Sequence, residues 1–261
     1  MTNKVLSIDL DYIMGPTIES YHEVQGPDCP TAMWDVFYDI TEFKENQFYI
    51  DQANLIYCYD IFLKAITNTK KIPKVLFGYD HDAILYLIGE ETDIELYNID
   101  HHDDIMHGMF LHDIDNSNIN EGINALNREL YLLKEHYCVN EGNWGAWLHV
   151  NNKLKSFTWI RNQESGNTAR EFYSSDLLGD KYSSHLRKDF TFDNYDFDFV
   201  FVCLSPLYVP KVHWHYFTMF HLAYESIVRK KAEIISKGKF QYTLHNKKAH
   251  DEILHKRPDG R

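Results

Sequence analysis

The stretch at residues 197–204, FDFVFVCL, is apolar almost without interruption. A strand with one wet face alternates apolar and polar residues, whereas a strand covered on both faces does not. This segment is what a central parallel strand looks like, and Ser205-Pro206 closes it. Other short apolar runs supply its neighbours: residues 5–10, ending in Asp9-Leu10-Asp11, then 75–77, 94–99 and 154–160. Helical signals fall between them. From Asp51 to about Thr67, residues Ala53, Ile56, Tyr57, Ile61, Leu63 and Ile66 recur roughly at helical spacing, and Ile72-Pro73 stops the pattern. Residues 122–137 place Ile123, Leu126, Leu130 and Leu133 on one helical face, and Gly142-Asn143-Trp144-Gly145 breaks it. A long helix is expected from about residue 211 to 237. Residues 15–30 read as an irregular loop and residues 161–195 as a polar excursion. Strands alternating with helices predict one α/β domain over residues 1–261, three-layered (α/β/α), with a mainly parallel sheet.

Composition narrows the partners. The hydrophobic share of 44% provides a core, while the net charge of −13 excludes a nucleic-acid backbone, which needs clustered Lys and Arg. The one basic concentration, between Arg229 and Arg257, is interspersed with His, Asp and Glu and reads as a solvated face. An acidic surface suits a cationic substrate or a basic peptide. The cysteines Cys29, Cys58, Cys138 and Cys203 lie far apart without C-x-x-C spacing, as expected of reduced thiols in a cytosolic protein. MTNKVLSIDLD carries no signal-peptide pattern and no apolar stretch approaches a membrane span, so a cytoplasmic protein without a membrane partner is expected. A monomer and a homo-oligomer fit the sequence equally well.

Chemistry concentrates where strands end. Ligands in such sheets bind beyond the carboxyl ends of the strands. Three predicted strands run into ionisable clusters there: Asp9 and Asp11; Asp80, His81 and Asp82; and Asp100-His101-His102-Asp103-Asp104. Alternate residues of an extended segment face the same way, which groups Asp9 with Asp11, and Asp100 with His102 and Asp104. Carboxylates gathered in this way repel one another unless a cation lies between them. A pair of divalent ions, bridged by carboxylates and capped by imidazole, resolves the repulsion. Mixed oxygen and nitrogen donors favour Mn(II), with Fe(II), Co(II) or Zn(II) behind it.

These residues also carry a family resemblance. Asp100-His101-His102-Asp103-Asp104 resembles the D-A-H-x-D element of the arginase and ureohydrolase fold. Ser7-Ile8-Asp9-Leu10-Asp11, with Pro16 following, resembles its S-x-D-x-D…P element, and Gly78-Tyr79-Asp80-His81 its G-G-D-H element. The resemblance implies Asp100 and Asp9 as bridging carboxylates between two Mn(II) ions, His81 and Asp104 completing one site, and His102 and Asp11 the other. It further implies attack of a metal-bridging hydroxide on a guanidinium carbon, giving urea and an amine. The order of the elements differs, since D-x-D comes first here and last in ordinary arginases. Met106 stands where arginases carry an Asn for the free amino acid's α-groups, and the other α-group contacts have no counterpart. This order, the length, and the segments EGNWGAWL and VCLSPLYVP look more like the peptide arginases, which convert arginine to ornithine within ribosomally made precursor peptides. The implied partner is therefore an arginine-containing precursor peptide.

Further roles are assigned from the chemistry required. A guanidinium calls for a carboxylate partner, and Glu141, Glu19 and Glu23 are the candidates. The leaving amine needs a proton, for which His107 ranks first and His112 second. His101 and Asp103 should turn away from the metals, and His213, His215 and His221 read as structural. The alternatives are a DHH-type manganese phosphoesterase, suggested by Ile99-Asp100-His101-His102, and a hydrolase of free arginine or another small guanidino compound. Against the phosphoesterase stand the lack of a His before Asp9, the lack of a Gly-rich basic segment and the acidic charge. A single-zinc deacetylase would use a different ligand set. A binding module with a vestigial site is opposed by intact ligand sets at all three strand ends.

Overall fold

The computed structural model describes residues 2–14, 49–67, 72–105, 133, 139–163, 165, 174–206, 208–230 and 232–235. Its centre is a seven-stranded sheet whose strand-to-strand pairings are all parallel. The strands are β1 (Asn3–Asp9), β2 (Lys74–Gly78), β3 (Ile94–Ile99), β4 (Leu154–Arg161), β5 (Tyr182–Leu186), β6 (Phe199–Cys203) and β7 (Ile234–Ile235), in the order β5-β4-β3-β1-β6-β2-β7. The described helices are α1 (Gln52–Thr67), α2 (Leu85–Ile88), α3 (Trp144–Val150) and α4 (Trp214–Val228), with a further helical turn over residues 174–178.

The apolar run near residue 200 behaves as its composition requires. Every residue of β6 is buried, and successive side chains enter opposite cores. Val200 and Val202 pack with α1 and α4; Phe199, Phe201 and Cys203 pack with α2 and α3. Helices therefore cover both faces of a parallel sheet, giving an α/β protein of three layers. From the central β1 the chain crosses to β2 on one side, then to β3 on the other, and β6 returns to fill the gap between β1 and β2. The direction of winding thus changes at β1, the point in such sheets where strand ends leave a crevice.

Four expectations need correction. In α1 the buried residues are Asn54, Leu55, Cys58, Ile61, Phe62, Ala65 and Ile66, so Ala53 and Ile56 lie on the outer face. The reason is Asn54, whose amide donates to the Tyr12 carbonyl and turns a polar residue inward. The final helix is shorter than expected; it stops at Val228, where Arg229 adopts a left-handed conformation, and β7 follows. The excursion at residues 161–195 contains β5, which continues the sheet beyond β4.

Finally, the break expected at residues 142–145 is a turn only as far as Asn143, and Trp144 and Gly145 already begin α3. Gly145 is small because the chain passes close by: a Cβ there would lie 2.7 Å from Ile105 Cδ1 and 3.1 Å from the Asp104 carbonyl oxygen. Its N–H donates to that same carbonyl at 3.1 Å. Gly145→Ala is expected to cost about 1–3 kcal/mol by overpacking, read as a lowered denaturant midpoint at unchanged slope. An unchanged midpoint would show that α3 can move aside freely. The helix expected at residues 122–137 lies outside the described residues except for Leu133, which is buried.

Candidate metal centre

The sheet register brings the carboxyl ends of four strands to one level. Ile8 pairs with Ile99, Asp9 with Cys203, and Gly78 with Cys203. Asp9, Asp100, Cys203 and Gly78 therefore mark a common edge, and each chain turns just beyond it. After β1, residues Leu10–Ile13 form a 3-10 turn rather than an extended continuation. Asp9 caps this turn, its Oδ1 accepting the Asp11 N–H at 3.0 Å. Asp9 and Asp11 converge through the turn, not through strand alternation. After β3, His102 N–H donates to Asp100 Oδ1 at 2.8 Å and Asp104 takes a left-handed φ of 53°, which bends the segment back over the strand ends. After β2, His81 opens a 3-10 turn and reaches under them.

All six expected ligands meet here. The donor atoms of Asp9, His81 and Asp100 lie within 4.8 Å of one another, as do those of Asp11, Asp100 and His102. Asp100 belongs to both groups. The inner position, with Asp104 added, is almost wholly buried: His81 Nδ1 stands 3.1 Å from Asp9 Oδ2, 2.9 Å from Asp100 Oδ2 and 2.6 Å from Asp104 Oδ2. The outer position is more open, its His102 side chain 14% exposed, with Nδ1 2.9 Å from Asp11 Oδ2.

The inner position offers a donor atom that suits a cation. His81 Nδ1 is buried and makes no hydrogen bond, because none of the three nearby oxygens lies in line with an N–H there. Two donors each about 2.1 Å from one ion and at right angles are about 3.0 Å apart. The spacing around His81 Nδ1 is of that size. Hard oxygen donors joined by imidazole are a set that a divalent metal ion accepts, so the residues fit such an ion.

Surrounding groups orient these ligands. Ser7 Oγ lies 2.6 Å from His81 Nε2, leaving Nδ1 to face the carboxylates. The Trp144 indole N–H donates to Asp104 Oδ2 at 3.0 Å, Asn98 Nδ2 to Asp100 Oδ2 at 3.2 Å, and Ser205 Oγ to Asp9 Oδ2. Such outer hydrogen bonds fix ligand orientation and basicity. His101 and Asp103 do turn away. His101 Nδ1 sits 3.3 Å from Asn162 Nδ2, and Asp103 accepts the Ser174 hydroxyl. The His101 N–H still serves the centre, donating to Asp11 Oδ1 at 3.2 Å. Ser7, Asn98, Trp144 and Ser205 were given no role at the centre by the sequence, although Ser7 lies in the S-x-D-x-D element, Trp144 in EGNWGAWL and Ser205 in VCLSPLYVP.

The electrostatics are those of a cation site. Among the described residues no Lys or Arg forms an ion pair with Asp9, Asp11, Asp100 or Asp104. Burial, reinforced by the charges of Asp9 and Asp100, holds the Asp11 carboxyl well above its ordinary 3.8. Burial with the charges of Asp104 and Asp9 does the same to Asp100, and burial raises Asp104 despite His81. For Asp9 burial also pushes upward, but His81, the Asp11 N–H and the Ser205 hydroxyl bring it below 3.8. Burial opposes a charge on His81, yet Asp104, Asp100 and Asp9 outweigh it and lift the imidazole well above 6.5.

Of the remaining candidates, Glu141 lies in a turn before α3, close enough for its charge to help raise the Tyr208 phenol, behind burial as the main cause. The Tyr208 ring stands 5.1 Å from that of His102, so Tyr208 borders the outer position. Glu19, Glu23, Met106, His107 and His112 lie outside the described residues. His215 Nδ1 is 2.8 Å from the Val212 carbonyl oxygen, and His221 packs on Phe77 and pairs with Glu225 on α4. No helix among the described residues is long and apolar enough to cross a membrane. The fold and site together define an α/β protein with a carboxylate–imidazole centre at the switch point of a parallel sheet. No protein-family model, curated protein or solved structure matches the chain.

Proposed function

We propose that the chain is a dinuclear manganese hydrolase of arginase-like fold that converts peptide-borne arginine to ornithine, releasing urea. The observation that carries this reading is the pair of ligand groups sharing Asp100 at the carboxyl edge of the sheet. Two Mn(II) ions bound there would supply Lewis acidity and hydroxide at neutral pH. The chain's own residues do the rest. Asp100, which belongs to both donor groups, and Asp9 would hold the pair of ions, with His81 and Asp104 completing the inner position and Asp11 and His102 the outer. Glu141, whose charge is felt by Tyr208, would receive the guanidinium in a bidentate pair. The net charge of −13 favours a cationic side chain over a phosphate ester. The free, buried thiols of Cys58 and Cys203 accord with a cytoplasmic setting.

The test is mass spectrometry of an arginine-containing peptide, and of free arginine, incubated with the protein and Mn(II). Each modified arginine should lose about 42 Da as CN₂H₂ is removed by a metal-dependent hydrolase. The change should appear on the peptide with wild type and vanish with His102→Ala. Conversion of free arginine alone would replace the peptide substrate, and no conversion of either would reject the hydrolase reading.

A further inference from the structure

Ser205 holds an unfavourable conformation beside the centre. Its φ is +49°, a left-handed value that L residues avoid. It also precedes Pro206, where the backbone prefers an extended φ of about −120°. Glycine would hold this conformation with less strain. The turn is clamped from both sides: Leu204 N–H donates to the Gly78 carbonyl at 2.9 Å and Ser205 N–H to the Tyr79 carbonyl at 3.0 Å. The Ser205 carbonyl in turn accepts the N–H groups of Tyr208 and Val209 at 2.9 and 2.8 Å.

All these bonds are made by the backbone and would survive in a glycine. What serine adds is a hydroxyl, and that hydroxyl donates to Asp9 Oδ2, the oxygen facing His81 Nδ1 at 3.1 Å. The other oxygen of Asp9 already accepts the Asp11 N–H. A carboxylate oxygen offers two lone pairs, so each oxygen of Asp9 keeps one for an ion, in a direction fixed by its hydrogen bond. Backbone strain that persists beside such a site signals a functional constraint.

We propose that Ser205 is a positioning residue: its strained turn is retained so that its hydroxyl aims Asp9 Oδ2 at the inner metal position. This rests on the two-ion reading of the site and not on the substrate. A chain that binds two Mn(II) ions but leaves arginine intact would reject the substrate and leave this inference standing.

The experiment compares wild type with Ser205→Thr, Ser205→Ala and Ser205→Gly. Two quantities are read: the thermal midpoint without metal, and Mn(II) affinity from the signal of free aqueous Mn(II). Ala and Gly both lack the hydroxyl, and each should weaken one of the two Mn(II) positions by about 10–100-fold while sparing the other. Gly should nonetheless melt above Ala, by about 2–4 °C, because it relieves the strain. Thr keeps the hydroxyl on a β-branched residue, so it should be the least stable variant and bind Mn(II) like wild type. Affinity and stability would then rank in opposite orders. A merely structural serine predicts affinity that follows stability, with Gly close to wild type and Ala below it. That result would overturn the proposal, as would equal weakening of both positions or no binding of Mn(II) by wild type. Should Thr fail to fold, the Ala–Gly pair decides.

Discussion

Asp100→Asn is expected to empty both metal positions and, in the same stroke, to make the ion-free protein more stable. Asp100 belongs to both donor groups, and its two oxygens face different ways: Oδ2 toward His81 Nδ1 at 2.9 Å, Oδ1 toward His102 Nδ1 at 4.0 Å. A neutral amide cannot bridge two cations as a carboxylate does. Hydrolysis should fall by roughly 10³-fold or more, as when a member of a catalytic unit is removed. The stability change runs the other way because burial, then Asp104 and Asp9, disfavour a charge on Asp100. Without metal that penalty is borne by the fold, and the amide removes it. Metal counting gives the first result and thermal melting the second. A variant that keeps one ion would show that Asp100 is not shared, and one that melts below wild type would place Asp100 in a structural role.

Mn(II) itself should produce the largest shift in stability, and the shift should grow with pH. A ligand at a hundred times its dissociation constant stabilises by about 2.7 kcal/mol, so two independent ions contribute about 5 kcal/mol and raise the midpoint by more than about 10 °C. The pH dependence follows group by group. Asp11, Asp100 and Asp104 are raised above 3.8 in the fold. Each therefore contributes stability that is complete below 3.8 and lost as pH rises through its folded value. His81, raised above 6.5, behaves alike: its contribution is complete below 6.5 and lost above its folded value. Asp9 is lowered and opposes them, its contribution being lost as pH falls through its folded value. Above 3.8, where Asp9 no longer changes, Asp11, Asp100 and Asp104 each withdraw stability from the ion-free centre, and His81 joins them only above 6.5. Mn(II) replaces the protons on these groups, so binding should release protons and the gain in midpoint should be larger at pH 7.5 than at about pH 5.5. Melting curves across that range, with and without Mn(II), test this. A gain independent of pH would mean that the ions bind elsewhere.

The centre was legible in the sequence because its ligands are carried by strand ends. Asp9, His81 and Asp100 each sit at or within three residues of the end of an apolar strand, and that strand fixes both depth and direction. The groups that orient them were not legible. Ser205 meets Asp9 across 196 residues and Ser7 meets His81 across 74, and a serine near a strand gives no hint of which carboxylate or imidazole will be its partner. Helix α1 was visible as a period but with its face mistaken. Asn54 is buried for a hydrogen bond to Tyr12, while Ile56 is left 67% exposed. Strand β5, Tyr182–Leu186, is half-buried along its whole length and polar enough to pass for a loop. Its place at the sheet edge comes from pairing with β4, which periodicity cannot reveal. Gly145 read as part of a break, but the turn ends at Asn143 and Gly145 sits in the first turn of α3, where it permits close approach to the Asp104 carbonyl.

The most direct measurement is the number and coupling of Mn(II) ions held by the purified chain, by elemental analysis and electron paramagnetic resonance. Two ions per chain with an exchange-coupled spectrum, lost in Asp100→Asn, is the result expected of a centre bridged by Asp9 and Asp100. One ion, two magnetically independent ions, or none would contradict it.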